Sequence, residues 1–351
     1  MWLFNKKLDL TFLFLPIGLT WLICFLFDAQ FQGTIPIWIW GIFVLGIDVT
    51  HVWSTIFRTY LDKEERKRYK KQLWVLPLVA FLVVDVLSTY SEQLFWRIIA
   101  YFALFHFIRQ QFGFLMLYKS KMKFPELRWI SDKTFIYIAT LYPVLVWHIL
   151  GDRAFSWFVK GDFLIYPLVP EVIVTIGNYI YFALVLMWVI DHVLLANKNT
   201  KLFPFGKVLW GLSTVGTWWL GIVYFNSDFS FTLTNVVAHG IPYMALVFYY
   251  VEEKKNIQKH QQSSKIIAIS VIWMFLICLF LGLGEEFLWD IFINYEKQEV
   301  FGNWQIYIDS AYLRGLLIAF LSLPQVTHYL LDGVIWKGNT NPMIKKIFTP
   351  R

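Results

Sequence analysis

Four histidines stand inside long apolar stretches, each with polar neighbours at helical spacing: Asp48/His51, His106/Arg109/Gln110, Asn235/His239 and His328/Asp332. Polar side chains are costly in hydrocarbon, so a bilayer helix keeps them where they have a use. Imidazole is a common metal ligand, and a carboxylate on its far ring nitrogen orients it. On ligand type, four imidazoles with carboxylates close by suit iron(II), zinc, copper or manganese. With two cysteines, Cys24 and Cys278, the chain has no Cys-rich cluster for an iron–sulfur or structural zinc site. The HExxH pattern of zinc hydrolases and the dense HxxHH pattern of membrane desaturases are both absent.

The spacing says how helices would present these groups. Asp48, His51, Thr55 and Arg58 follow intervals of three, four and three, which is one helix face. His106, Arg109 and Gln110 share another. Arg109, deep in its segment, calls for a counter-charge such as Asp48, Asp85 or Asp332, or for a substrate anion. Asn235, His239 and Tyr243 recur every fourth residue, and Gly240 with Pro242 predicts a local kink beside His239. Asp332, one turn after His328, is placed to orient that imidazole or to ligate the metal itself.

The elements that must position these residues are transmembrane helices. Of the 351 residues 58% are hydrophobic and only 16% charged, so no polar stretch is long enough to form a soluble domain. Ten segments reach spanning length: 8–27, 35–58, 73–90, 94–118, 133–150, 169–195, 206–225, 230–251, 264–283 and 310–336. Their backbones must be satisfied internally, which makes them helices. The fold class expected is therefore all-α, a polytopic membrane bundle forming a single transmembrane domain over 1–351. The first segment, after Lys6 and Lys7, reads as a retained helix, since no small-residue cleavage site follows it.

Every second loop is basic: Arg58 to Lys71, Lys119 to Arg128, Lys198 to Lys207, Lys254 to Lys265, and the tail from Lys337. The positive-inside rule then puts both termini in the cytoplasm. The net charge of +7 is explained by these topogenic lysines and anionic membrane lipid, with no nucleic-acid partner. The four histidines lie about 7–12 residues from the cytoplasmic ends of parallel helices, a layer roughly 8 Å thick. Asp85 falls at a comparable level, as a further ligand or counter-ion. His148, near the outer interface, His192, close to the inner headgroups, and His260, in a basic loop, stand outside the set. The aromatic, acidic stretch 284–309 predicts a short interfacial helix or cap. In 152–168, Trp157, Phe158 and Phe163 predict a headgroup-level rest.

The run Thr327-His328-Tyr329-Leu330-Leu331-Asp332 resembles the C-terminal segment of the bacterial retinal-forming β-carotene dioxygenases (Brp/Blh type). Phe105-His106-Phe107 is similar to a His-Phe pair in an earlier helix of that family. The resemblance implies a polytopic non-haem iron oxygenase acting on a lipophilic polyene or related lipid. The expectation is a metalloenzyme of the bacterial inner membrane with iron as cofactor, zinc and haem being the alternatives. His51, His106, His239 and His328 would be ligands, and Asp48 and Asp332 ligands or orienting groups. Arg109 would balance charge or hold a substrate, and Tyr243 would donate a proton. The partners would be a lipophilic small molecule, membrane lipid and a separate electron donor. A proton or divalent-cation transporter and a membrane haem protein are the competing readings.

Overall fold

The protein's structure is a computed structural model that describes residues 2–32, 35–121, 125–151, 153–166, 170–200, 203–261 and 271–348. Lys123, Lys201, Lys265 and Arg351 of the basic segments, and the start of the expected span 264–283, lie outside the described residues. The described chain is helical, with no strand among those residues. In order the helices are α1 (Lys6–Gln30), α2 (Ile37–Arg58), α3 (Lys63–Arg68), α4 (Lys70–Tyr90), α5 (Glu92–Ser120), α6 (Asp132–Leu150) and α7 (Glu171–Lys198). Then follow α8 (Phe205–Trp219), α9 (Asp228–Gln261), α10 (Val271–Asn294), α11 (Gln298–Phe301), α12 (Ala311–Leu321), α13 (Leu323–Ile335) and α14 (Pro342–Phe348).

Eight of these are long and apolar enough to cross a membrane, and the pair α12–α13 makes a ninth if its 46° bend is one broken span. Ten spans were expected. The missing one, 206–225, is helical, as α8 plus the π-turn Leu220–Tyr224. Its Gly, Ser, Thr, Trp and Lys207 content lowers its hydropathy, and ten of the 15 residues of α8 are buried. The bend between α12 and α13 was not anticipated. It falls at Ser322 and Leu323, just ahead of Pro324, which lacks the N–H that would continue the ladder. Pro242 lies inside α9, which runs as one helix from Asp228 to Gln261. The loop expected over 284–309 is shorter, because α10 runs on to Asn294 and only α11 forms the short extra helix.

Chain contacts divide into two compact units: Met1–Ile35, Leu104–Pro242 and Phe348–Arg351 in the first, Pro36–Ala103 and Tyr243–Ile347 in the second. In the first, α8 lies along α6 and α1. Phe135 stacks on Trp188 and Phe114 on Trp210, with ring centres 3.8 and 4.5 Å apart. Buried Asp9 accepts from the Leu3 and Phe4 amides and from the Tyr118 hydroxyl, which ties the N-terminus to α5. Lys207, Asp132 and His192 form a separate buried polar network there, with Lys207 Nζ 3.0 Å and His192 Nε2 3.7 Å from the Asp132 carboxylate.

In the second unit α4 packs along α12 and α13, and α10 along α2. A close approach is at Gly315 of α12, where an added Cβ would lie 2.8 Å from the backbone nitrogen of Thr89 and 2.9 Å from its Cα. Backbone cannot step aside as a side chain can, so Gly315→Ala must separate two helices. We expect it to destabilise the protein by about 1–3 kcal/mol. A lowered thermal midpoint in detergent is the readout, and an unchanged midpoint would contradict this contact.

A candidate metal centre

In the second unit, His51 on α2 and His328 on α13 are both buried, with ring centres 5.0 Å apart. The ten residues before Thr50, Trp40–Val49, form a π-helical stretch, a geometry that often accompanies functional sites. Across the switch from π to α at Thr50, Asp48 and His51 still meet at their three-residue interval. Asp48 keeps 28% of its side chain exposed while His51 is closed off, yet its carboxylate remains 3.5 Å from His51 Nδ1.

Around His328 the hydrogen bonds form a chain whose direction can be worked out. The Tyr243 hydroxyl donates its single proton to Asp332, 2.6 Å away. It must therefore accept from Thr55, 3.0 Å away. Thr55 has then spent its own proton, so its oxygen accepts from His328 Nδ1 at 2.8 Å. Nδ1 thus carries the hydrogen, and Nε2 is the nitrogen with a lone pair for a metal. Asp332 also lies 3.9 Å from His328 Nδ1. Tyr243 stands edge-on to both imidazoles, at 4.8 Å from His328 and 5.7 Å from His51. The last member of the α2 stripe, Arg58, serves elsewhere. It is buried and ion-paired with Glu65, with its guanidinium 4.1 Å from the Tyr250 ring centre.

The first unit holds the other two histidines. His106 on α5 and His239 on α9 are buried, and their ring centres are also 5.0 Å apart. Phe107 stacks flat on His239 at 3.5 Å, and Trp157 closes edge-on against Phe107 at 5.0 Å. Trp157 and Phe163 fold into the packing of this unit, against Trp147 and Phe231. Asp162 holds that loop by accepting from the amides of Phe158 and Val159. Gln110 donates from Nε2 to the carbonyl of His239 at 2.8 Å, which links α5 to α9 at the level of the pair. Asn235 is occupied one turn back, donating to the Phe231 carbonyl.

Other expected site residues are placed differently. Arg109 is on an exposed face, donating to the Tyr137 hydroxyl at 2.8 Å and lying over the Phe112 ring. Three residues after His106 the helix has turned 60° short of a full circle, enough to send Arg109 outward while Gln110 stays buried. Asp85 on α4 is half-buried and outside the histidine group. His148 bonds the Val144 carbonyl through Nδ1, and His192 bonds that of Trp188. His260 falls within α9 rather than a loop. Cys24 and Cys278 are separate buried thiols. Sequence reasoning did not single out Gln111, whose side chain accepts from Thr214, or Glu285, which accepts from Trp53 Nε1 at 2.7 Å. Both are polar residues in apolar helices, the signal by which they could have been found.

Thr55 is the bond that fixes the ring of His328. If His328 holds a metal, removing the Thr55 oxygen with Thr55→Val should lower metal affinity about 10–100-fold, the usual cost of losing an outer partner of a ligand. A chelator-competition titration reads this directly, and wild-type affinity would mean that the bond does not orient His328.

No family model, curated protein or solved structure matches this chain.

Proposed function

We propose that this chain is an integral-membrane metalloenzyme in which His51, His106, His239 and His328 bind one iron ion, and that it oxidises a lipophilic molecule with oxygen. One observation carries the reading: one ring nitrogen from each of these four buried histidines lies within 4.8 Å of the others. Helix continuity supports it. His239 precedes Tyr243 by one turn on unbroken α9, and Tyr243 touches His51 and His328. Likewise His106 follows Phe102 by one turn on α5, and Phe102 packs on Tyr329, the neighbour of His328. Residues four apart on a helix share a face about 6 Å apart along the axis.

Ring spacing favours a small ion over haem. Two imidazoles side by side on one ion, with bonds of about 2.0–2.1 Å, have ring centres roughly 4.5–5 Å apart. Ligands on opposite faces of a haem stand roughly 6 Å apart, with a flat slot between them. Both pairs have the shorter spacing. Iron held by imidazoles with an open position supplies oxygen activation.

The remaining roles fall to the chain itself. Asp48 and Asp332 act from beside His51 and His328, as orienting carboxylates. Tyr243 and Thr55 keep the proton on His328 Nδ1, and Tyr243 is a phenol placed to pass a proton through Asp332. Arg109, bound to Tyr137 on an exposed face, is left out of the reaction. The relation to the Brp/Blh-type dioxygenases, a bacterial cytoplasmic membrane with both termini inside, and a separate electron donor belong to the same proposal.

Elemental analysis of protein purified from cells and then loaded anaerobically with iron(II) tests the reading, together with oxygen uptake on adding a total lipid extract. One iron per chain and lipid-dependent uptake are expected. Stoichiometric zinc without uptake would remove the oxygen chemistry and leave the metal site.

A further inference from the structure

A cavity of about 880 Å³ lies wholly within the second unit, among α2, α10 and the bent pair α12–α13. Its walls are apolar: Val52, Ile56, Leu281, Leu288, Leu321 and Leu331 line it. On one side the lining residues Phe280, Phe320, Leu283 and Val300 are exposed on the outer surface of membrane-length helices and the short α11. The same lining also includes the buried Thr55, Thr327 and His328. The volume lies within the range of about 300–1,000 Å³ for small-molecule sites.

Two features say what belongs inside. Thr327 is 92% buried, being 8% exposed, and its hydroxyl makes no hydrogen bond within the described protein. A hydroxyl left unpaired among hydrocarbon walls is costly, so a ligand atom that accepts or donates a hydrogen bond is the natural partner. No Lys or Arg lines the cavity, and its one carboxyl, Glu285, already accepts from Trp53. An anionic headgroup would find no counter-charge.

We propose that this cavity is a binding site for a neutral long-chain lipid bearing one hydroxyl or carbonyl group. The molecule enters sideways from the bilayer and sets that group against Thr327, beside His328. That the bound lipid is the substrate rests on the metal reading above; the binding itself does not. The bend between α12 and α13 lies in the cavity wall, since Phe320, Leu321, Leu323 and Pro324 all line it.

Gly284 offers a clean test. It lines the cavity, and a Cβ built on it meets nothing within 4 Å, so a side chain can start there without a clash at its first atom. Full-length protein in nanodiscs would be irradiated with octadecanol carrying a diazirine next to its hydroxyl, and the adducts mapped by mass spectrometry. Saturable labelling of peptides around Thr55 and Thr327, competed by octadecanol and not by phosphatidylglycerol, is expected. Gly284→Trp should reduce it at least about tenfold by filling the site, with metal content unchanged. Thr327→Val should weaken it about three- to tenfold, as loss of one neutral hydrogen bond does. Non-saturable labelling spread over α1, α4 and α7, or labelling of Gly284→Trp at the wild-type level, would overturn the proposal. Saturable labelling in a protein that holds no metal would leave the cavity standing and remove the metal centre. Bound metal without saturable labelling would do the reverse.

Discussion

Replacing His51 and His328 together by alanine is expected to leave purified protein without bound metal while the helices still assemble. In the proposed four-histidine site two of four ligands are then lost, so the affinity should fall well beyond the roughly 10–100-fold cost of losing one outer partner. Single replacements of His51, His106, His239 or His328 should each lower stoichiometry too, because the four nitrogens form one group. The cost to assembly is small by comparison, since polar contacts between membrane helices are each worth about 0.6–2 kcal/mol. His148→Ala is the matched control: its imidazole is engaged with the Val144 carbonyl one turn back and is not in the group. Metal analysis alongside size-exclusion profiles separates loss of ion from loss of fold. Full metal content in all four single variants would be decisive against the site.

The largest effect on stability is expected at Arg58. It is ion-paired to Glu65, neither residue is exposed, and its Nη2 donates to the Ile335 carbonyl. Glu65 also receives hydrogen bonds from Asn341 and from the Tyr250 hydroxyl, and Lys254 lies 3.6 Å away. Arg58→Leu would leave this carboxylate buried without its main partner, at a cost of about 3–5 kcal/mol. Replacing both members by apolar residues should recover much of that loss, because the desolvation of both charges disappears with them. Thermal midpoints of the single and double variants check this. If Arg58→Leu melted with the wild type, the pair would have no structural role.

The polar stripe on α2 illustrates how far sequence reasoning reaches. Asp48, His51, Thr55 and Arg58 were legible as one face, because the 3.6-residue period is a local property of a single helix. The structure divides that face among three tasks: a carboxylate beside His51, a hydroxyl bonded to His328, and an ion pair with Glu65. Which task falls to which residue depends on neighbours far along the chain, such as His328 and Tyr243. No pattern of residue types announces the π-helical stretch ahead of Thr50. Arg109 shows the same limit, since its three-residue interval from His106 is compatible with either flank of the helix.

Sequence by itself determined that this chain folds into helices long and apolar enough to cross a membrane, and it picked out the four histidines that form the buried group. Both are written in local hydropathy and in the cost of polar groups in lipid. Tertiary structure alone decided the pairing of His51 with His328 and of His106 with His239, the Thr55–Tyr243–Asp332 chain, the outward turn of Arg109, and the cavity beside Thr327. These follow from the rotation and axial register of each helix against its neighbours. Rotation and register are set by packing across the bundle, a non-local property that no single segment encodes.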